Sequence, residues 1–351
     1  MKKNYLFLVG LVAILLIMSA CGTNDGDTSD DSTSEGKSKE LVVTSFGGQY
    51  DEVFTKYVIE PFEAENEGVT VKLAPYTGVA KLNQGGANVD VIQLDDFDLI
   101  DAANKGLLEP LDESNFDHWD NLYEEAILNT DDGQPYGLVN VFGAWGIAYN
   151  PEEVSEPTSW NDLKNDEVNG KLSLMGQWIP DILLIAEATG ATYDDMGNVW
   201  DFYETITPSV VKYYSSFSDP ESLFGTGEVA MASWFDGRAV TLKESGENID
   251  FVIPEEGGVL IRSGMAVSAD SENKELAQEL IDFAMSVDAQ KGFSEEMYYG
   301  PTNSTVELDD SLADLVVYGE EEVSNLIAPD WNEILPKREE WLLEWTEATS
   351  K

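Results

Sequence analysis

Apolar positions change period repeatedly along the chain. Leu41-Val42-Val43-Thr44-Ser45 is a run of strand formers broken by Gly47-Gly48, which predicts a buried strand followed by a tight loop. Val53, Phe54, Tyr57, Val58 and Phe62 then share one helical face, with Pro61 expected to end or kink that helix. Residues 69–73 alternate as a strand does, and 89–94 form another strand-like run after a short helical stretch at 77–83. Helical faces recur at 98–105, 182–188, 199–205 and 276–285, and strand-like runs at 138–141, 147–149, 229–233 and 265–267. Trp341, Leu342, Leu343 and Trp345 predict a closing helix within 333–349. Strand and helix alternate throughout, so the expected fold class is α/β with a mainly parallel sheet.

The first 39 residues follow different rules. Met1-Lys2-Lys3 is a positive start, Leu6 to Met18 is an apolar run of signal-peptide length, and Ser19-Ala20 place small residues before Cys21. The run is shorter than the roughly 20 residues needed to span a bilayer. Met18-Ser19-Ala20-Cys21 resembles a bacterial lipoprotein signal, which implies cleavage before Cys21 and a diacylglyceryl anchor on its sulfur. A signal peptide over 1–20 and a flexible polar tether over 21–39 are therefore expected, with the folded part beginning near Glu40. The expected location is the outer face of the bacterial cell membrane.

Composition narrows the function. The 351 residues include 68 acidic and 19 basic side chains, a formal charge of −49, which repels phosphate backbones and excludes nucleic acid as a partner. Nine Trp, 14 Tyr and 14 Phe supply core material that disordered acidic chains lack. The acids are spread along the whole chain, as expected of a hydrated surface.

Enzymatic chemistry finds little support. His118 is the one histidine and Cys21 the one cysteine, so Ser/His/Asp, Cys/His and His/Cys-metal constellations are poorly supplied. No cofactor or metal site is expected: Asp95, Asp96, Asp98 and Asp101 read as ordinary capping at a helix start. Gly225-Thr226-Gly227-Glu228-Val229-Ala230 matches a dinucleotide fingerprint in letters, but it precedes a strand instead of following one. An acidic hydrolase or lyase stays open as the alternative. More informative are aromatic residues at or just past proposed strands: Phe46, Phe97, Trp145, Trp178 and the stretch Trp234-Phe235-Asp236-Gly237-Arg238. Ligands of open α/β sheets bind at the carboxyl ends of strands.

Trp145-Gly146-Ile147-Ala148-Tyr149-Asn150-Pro151, Gly227-Glu228-Val229-Ala230 leading to Trp234-Phe235-Asp236-Gly237, Pro254-Glu255-Glu256-Gly257-Gly258 and Tyr299-Gly300-Pro301-Thr302-Asn303 together resemble the spermidine/putrescine-binding family of ABC-importer solute-binding proteins. The resemblance implies a two-lobed, type II periplasmic-binding-protein-like fold with the ligand cleft between lobes. Lobe 1 is expected at 40–142 plus about 262–300, and lobe 2 at 143–261 plus about 301–351. It also implies a monomer that closes around a small solute and delivers it to membrane permease subunits. Phe46, Asp95, Phe97, Trp145, Trp178, Trp234, Asp236 and Arg238 are the expected ligand contacts, aromatic walls with charged anchors. Ile261, Ser263 and Gln177 stand where the family carries a Trp and carboxylates. That substitution opens the solute class to other amines and zwitterions as well as polyamines.

Overall fold

The computed structural model describes residues 39–85 and 88–350. The signal segment, Cys21 and all of the expected tether except Lys39 lie outside the described residues. Lys39 opens the first strand. Ten strands form one sheet: β1 (Lys39–Ser45), β2 (Val69–Pro75), β3 (Val91–Asp95), β4 (Ile127–Asn129), β5 (Pro135–Tyr149), β6 (Leu172–Met175), β7 (Val210–Tyr214), β8 (Met231–Phe235), β9 (Asp250–Val252) and β10 (Val259–Val267). Their order is β2-β1-β3-β10-β5-β8-β6-β7, with β4 and β9 also pairing β5.

Parallel pairs occupy both ends of this order, β1 with β2 and β3, and β6 with β7 and β8. Two antiparallel strands, β5 and β10, join them in the middle. β5 is one strand of 15 residues, where alternation in the sequence predicts two short ones. Gly143 and Gly146 interrupt the apolar pattern there, yet both faces of the strand are covered, so a packed neighbour outweighs the local weakness of glycine. The first part of β5 pairs with β4 and β10 and its last part with β8 and β9. The expected lobe boundaries, 142/143 and 261/262, lie opposite one another, with Ile261 paired to Gly143 and Arg262 to Phe142.

One large apolar cluster joins Ile92, Leu94 and Leu99 to Trp145, Leu172 and Ile182, and two further clusters flank it. Leu41, Val43 and Val91 pack with Tyr50, Phe54 and Phe62 and with Leu280 and Phe293 from the helices Lys274–Ala284 and Val287–Met297. The helical run carrying Phe54 and Phe62 continues through Pro61, with a π-turn at Thr55–Ile59 immediately before it. That widening fits a proline that offers no N–H to the preceding turn. On the other side of β5, Trp234 packs with Leu223, Phe224, Val229 and Ala239. The closing helix Arg338–Thr349 docks through Trp345, edge-on to Tyr213 at 5.0 Å, and through Trp341, edge-on to Tyr193 at 5.5 Å. Among the described residues, no helix is long and apolar enough to cross a membrane.

Candidate functional site

A cavity of about 460 Å³ opens where the carboxyl ends of β3 and β8 meet the crossing strands β5 and β10. Strand ends collect a site because successive side chains of each strand alternate faces, leaving the last residue beyond the sheet. Asp95 closes β3, Phe235 closes β8, Val141, Phe142 and Gly143 come from β5, and Ile261 and Ser263 from β10. The loop Phe46-Gly47-Gly48 and Tyr50 cover one side. Phe217, Glu221, Gly237, Arg238 and Thr241 cover another, and Met297 and Tyr299 add to the lining. Gly47 and Gly48 both hold positive φ, 84° and 62°, which lets the chain turn sharply from β1 into the helix carrying Tyr50.

Six aromatic rings line the cavity: Phe46, Tyr50, Phe142, Phe217, Phe235 and Tyr299. Phe46 meets Tyr50 edge-on at 5.1 Å, and Phe217 meets Phe235 edge-on at 4.8 Å. The Tyr50 hydroxyl accepts from Asn140 Nδ2 at 2.9 Å, and burial pushes its pKa up, so it stays a neutral wall.

The charged groups are few. Asp95 accepts a 2.7 Å hydrogen bond from Ser263 Oγ, and burial raises its carboxyl to about 7 against the lowering effect of that bond. The neighbours that bear on it electrostatically, Asp96 and Asp98, are carboxylates that raise it further, with no cation among them. Arg238 donates from Nη1 to Glu221 Oε1 at 3.0 Å, and both side chains remain well exposed, at 35% and 45%. A pair this open is held by about 0–1 kcal/mol and can exchange partners.

The expected contacts divide. Phe46, Asp95 and Arg238 line the cavity; Phe97, Trp145, Trp178, Trp234 and Asp236 do not. Trp145 is fully buried behind Phe235, edge-on at 4.9 Å, and donates from Nε1 to Asp181 Oδ1 at 2.6 Å. Trp178 packs against Trp145 at 5.4 Å and Phe217 at 5.5 Å, one layer behind the lining. Trp234 faces the opposite side of β8 from Phe235, fully buried, with Nε1 donating to Phe217 O at 2.8 Å. Adjacent residues of a strand must face opposite ways, so only one of this pair can reach the cavity. Asp236 is buried, its Oδ1 accepting from its neighbour Gly237 N at 2.7 Å. Phe97 sits between Trp178 and Trp331, at 5.9 and 5.4 Å, with the Arg338 guanidinium 5.4 Å from its ring.

Tyr50, Phe142, Phe217, Glu221, Phe235 and Tyr299 also line the cavity and were not among the expected contacts. Strand parity could have pointed to Phe235 beside Trp234, and Tyr299 lies within a family motif. Phe217 lies in a loop and Glu221 in the short helix Asp219–Gly225, whose apolar Leu223 and Phe224 are too few to mark a helical face. Arg262, the cation next to Ile261 on β10, turns away: its Nε donates to buried Asp96 Oδ2 at 2.7 Å and its Nη2 to Pro329 O at 3.0 Å. Gln177 is exposed and bonds Thr346 Oγ1 at 3.1 Å.

Residues 57–317 match the family model described as bacterial extracellular solute-binding protein. The chain belongs to that family. It is 27% identical over 323 residues to the spermidine/putrescine-binding periplasmic protein of Escherichia coli, an alignment spanning 86% of this chain and 85% of the relative. It is 24% identical over 287 residues to the gamma-aminobutyric acid-binding protein of Pseudomonas aeruginosa, spanning 77% and 79%. A crystal structure of an ABC transporter protein from Clostridium perfringens superimposes with a TM-score of 0.75 at 25% identity, covering 88% of this chain and 99% of that one. The fold is the two-lobed, type II periplasmic-binding-protein fold with its cleft between lobes. This solute-binding protein is a receptor of the ABC-importer class and not an enzyme.

Proposed function

We propose that this solute-binding protein captures a small amine-bearing solute in the 460 Å³ cavity, with Asp95 holding its ammonium and the aromatic rings enclosing its alkyl part. The observation that carries the reading is Asp95: a carboxylate at the cavity wall, raised to about 7, whose charged neighbours are only other carboxylates. Ionised, it lacks a counter-charge, and a ligand cation supplies one. Aromatic faces beside it add cation–π attraction, about 0.5–2 kcal/mol per well-placed ring. The E. coli relative named for spermidine and putrescine and the P. aeruginosa relative named for gamma-aminobutyric acid both concern amines, which supports the class.

A second reading, a zwitterion, rests on Arg238. Its exposed pairing with Glu221 can yield to a ligand carboxylate while Asp95 takes the ammonium. In either case the proposed role is completed by a lipid anchor on Cys21 and by delivery of the closed, monomeric receptor to a membrane permease. The proposed lobes are 40–142 with about 262–300 and 143–261 with about 301–351.

Titration calorimetry of the full chain against putrescine, spermidine and gamma-aminobutyric acid, with Asp95→Asn alongside, tests the reading. Saturable binding that Asp95→Asn weakens by about a hundredfold is expected. Tight binding unaffected by that substitution would remove Asp95 as the anchor, and no binding by any of the three would remove the amine class.

A further inference from the structure

Gly237 stands in the first turn of the helix Asp236–Glu244, and a Cβ placed on it would lie 2.7 Å from Tyr298 O, 3.0 Å from Met297 O and 3.2 Å from Tyr299 Cδ1. Its φ is outside the left-handed region, so nothing in its own backbone asks for glycine, and alanine is the better helix former. The requirement comes from across the contact. The opposing residues end the helix Val287–Met297, and Tyr298 adopts the left-handed conformation there, φ 54° and ψ 41°, which is rare for a residue with a side chain. Both sides of the seam thus depart from what their own helices prefer, and the departures meet.

The two helices belong to separate apolar clusters. Ala239 packs with Trp234 and Leu223, whereas Ala289 and Phe293 pack with Tyr50 and Phe54. Gly237 and Met297 also line the cavity from opposite helices.

We propose that Gly237 is a specificity-determining residue: its missing side chain lets the two helices approach until the Met297 and Tyr298 carbonyls rest against it, which sets the width of the cavity. The assignment rests on the cavity being the solute site. A side chain at 237 holds the seam apart and leaves a small solute loosely enclosed, while the helix itself is undisturbed.

Hydrogen exchange on the full chain carrying Gly237→Ala, without solute and with putrescine or gamma-aminobutyric acid, decides the matter. Peptides covering 295–301 are expected to exchange about tenfold faster than in the wild type, with 240–244 unchanged. Calorimetry is expected to show at least about tenfold weaker affinity for whichever probe the wild type binds. Unchanged exchange at 295–301 overturns the proposal. Faster exchange at both segments also overturns it, since Gly237 would then serve the folding of its own helix. If the wild type binds neither probe, the amine reading fails while the exchange comparison still decides the seam.

Discussion

Asp181 holds Trp145 from behind the cavity wall: the indole Nε1 donates to Oδ1 at 2.6 Å, and Ser233 Oγ donates to Oδ2 at 2.8 Å. The same indole meets Phe235, a lining residue, edge-on at 4.9 Å. A buried carboxylate is a costly way to place a ring, and its retention of two donors keeps that cost bounded.

Replacing Asp181 by Ala leaves two buried donors unsatisfied and is expected to lower stability by about 2–4 kcal/mol in urea unfolding. Asp181→Asn, which keeps an acceptor for Trp145 and a donor for Ser233, is expected to cost less than half as much. Equal losses in the two variants would mean that the charge, not the hydrogen bonds, matters.

Stability should fall as pH rises from about 4 to 7. Asp95, Asp181 and Asp236 are each raised to about 7 by burial, from an ordinary value of 3.8. Between those limits the folded chain binds more protons than the unfolded one, so raising pH favours unfolding; above 7 this contribution levels off. Asp181→Asn should remove about 4 kcal/mol of the fall. A wild-type Tm that rises steadily between pH 4 and 7 would contradict the burial of these groups.

Affinity for an amine should run the other way. Asp95 must be ionised to attract an ammonium, so putrescine binding is expected to strengthen from pH 6 to 8, by about tenfold, with release of protons on binding. Calorimetry in buffers of different ionisation enthalpy measures that release, and Asp95→Asn should abolish both effects.

Arg238→Ala separates the two ligand classes. It should weaken gamma-aminobutyric acid by at least about tenfold and leave putrescine unchanged or tighter, because Glu221 is freed to join Asp95. Equal effects on both ligands would confine Arg238 to its ion pair.

Neighbouring aromatics on β8 should behave oppositely. Trp234→Ala empties a fully buried site and is expected to cost about 3–5 kcal/mol of stability. Phe235→Ala removes a cavity wall and should register chiefly in affinity, and denaturation and calorimetry on the same two variants compare them directly.

Local pattern determined much of this receptor. Runs such as Leu41 to Ser45 and the apolar face of Val53, Phe54 and Phe62 carry their period with them, because one strand or helix needs only one buried face to be recognised. Asp95 and Phe46 were legible for the same reason: each stands where a strand ends. Which face of a strand meets the cavity was decided elsewhere. Trp234 and Phe235 are adjacent in the chain and equally apolar, yet one fills a core and the other a wall, according to what β5 and the 217–221 segment bring to each side. Asp181 acquires its role from Trp145, 36 residues away, and Ser233, 52 residues away. Burial and partnership are sums over distant segments, so the tertiary structure alone assigned those roles.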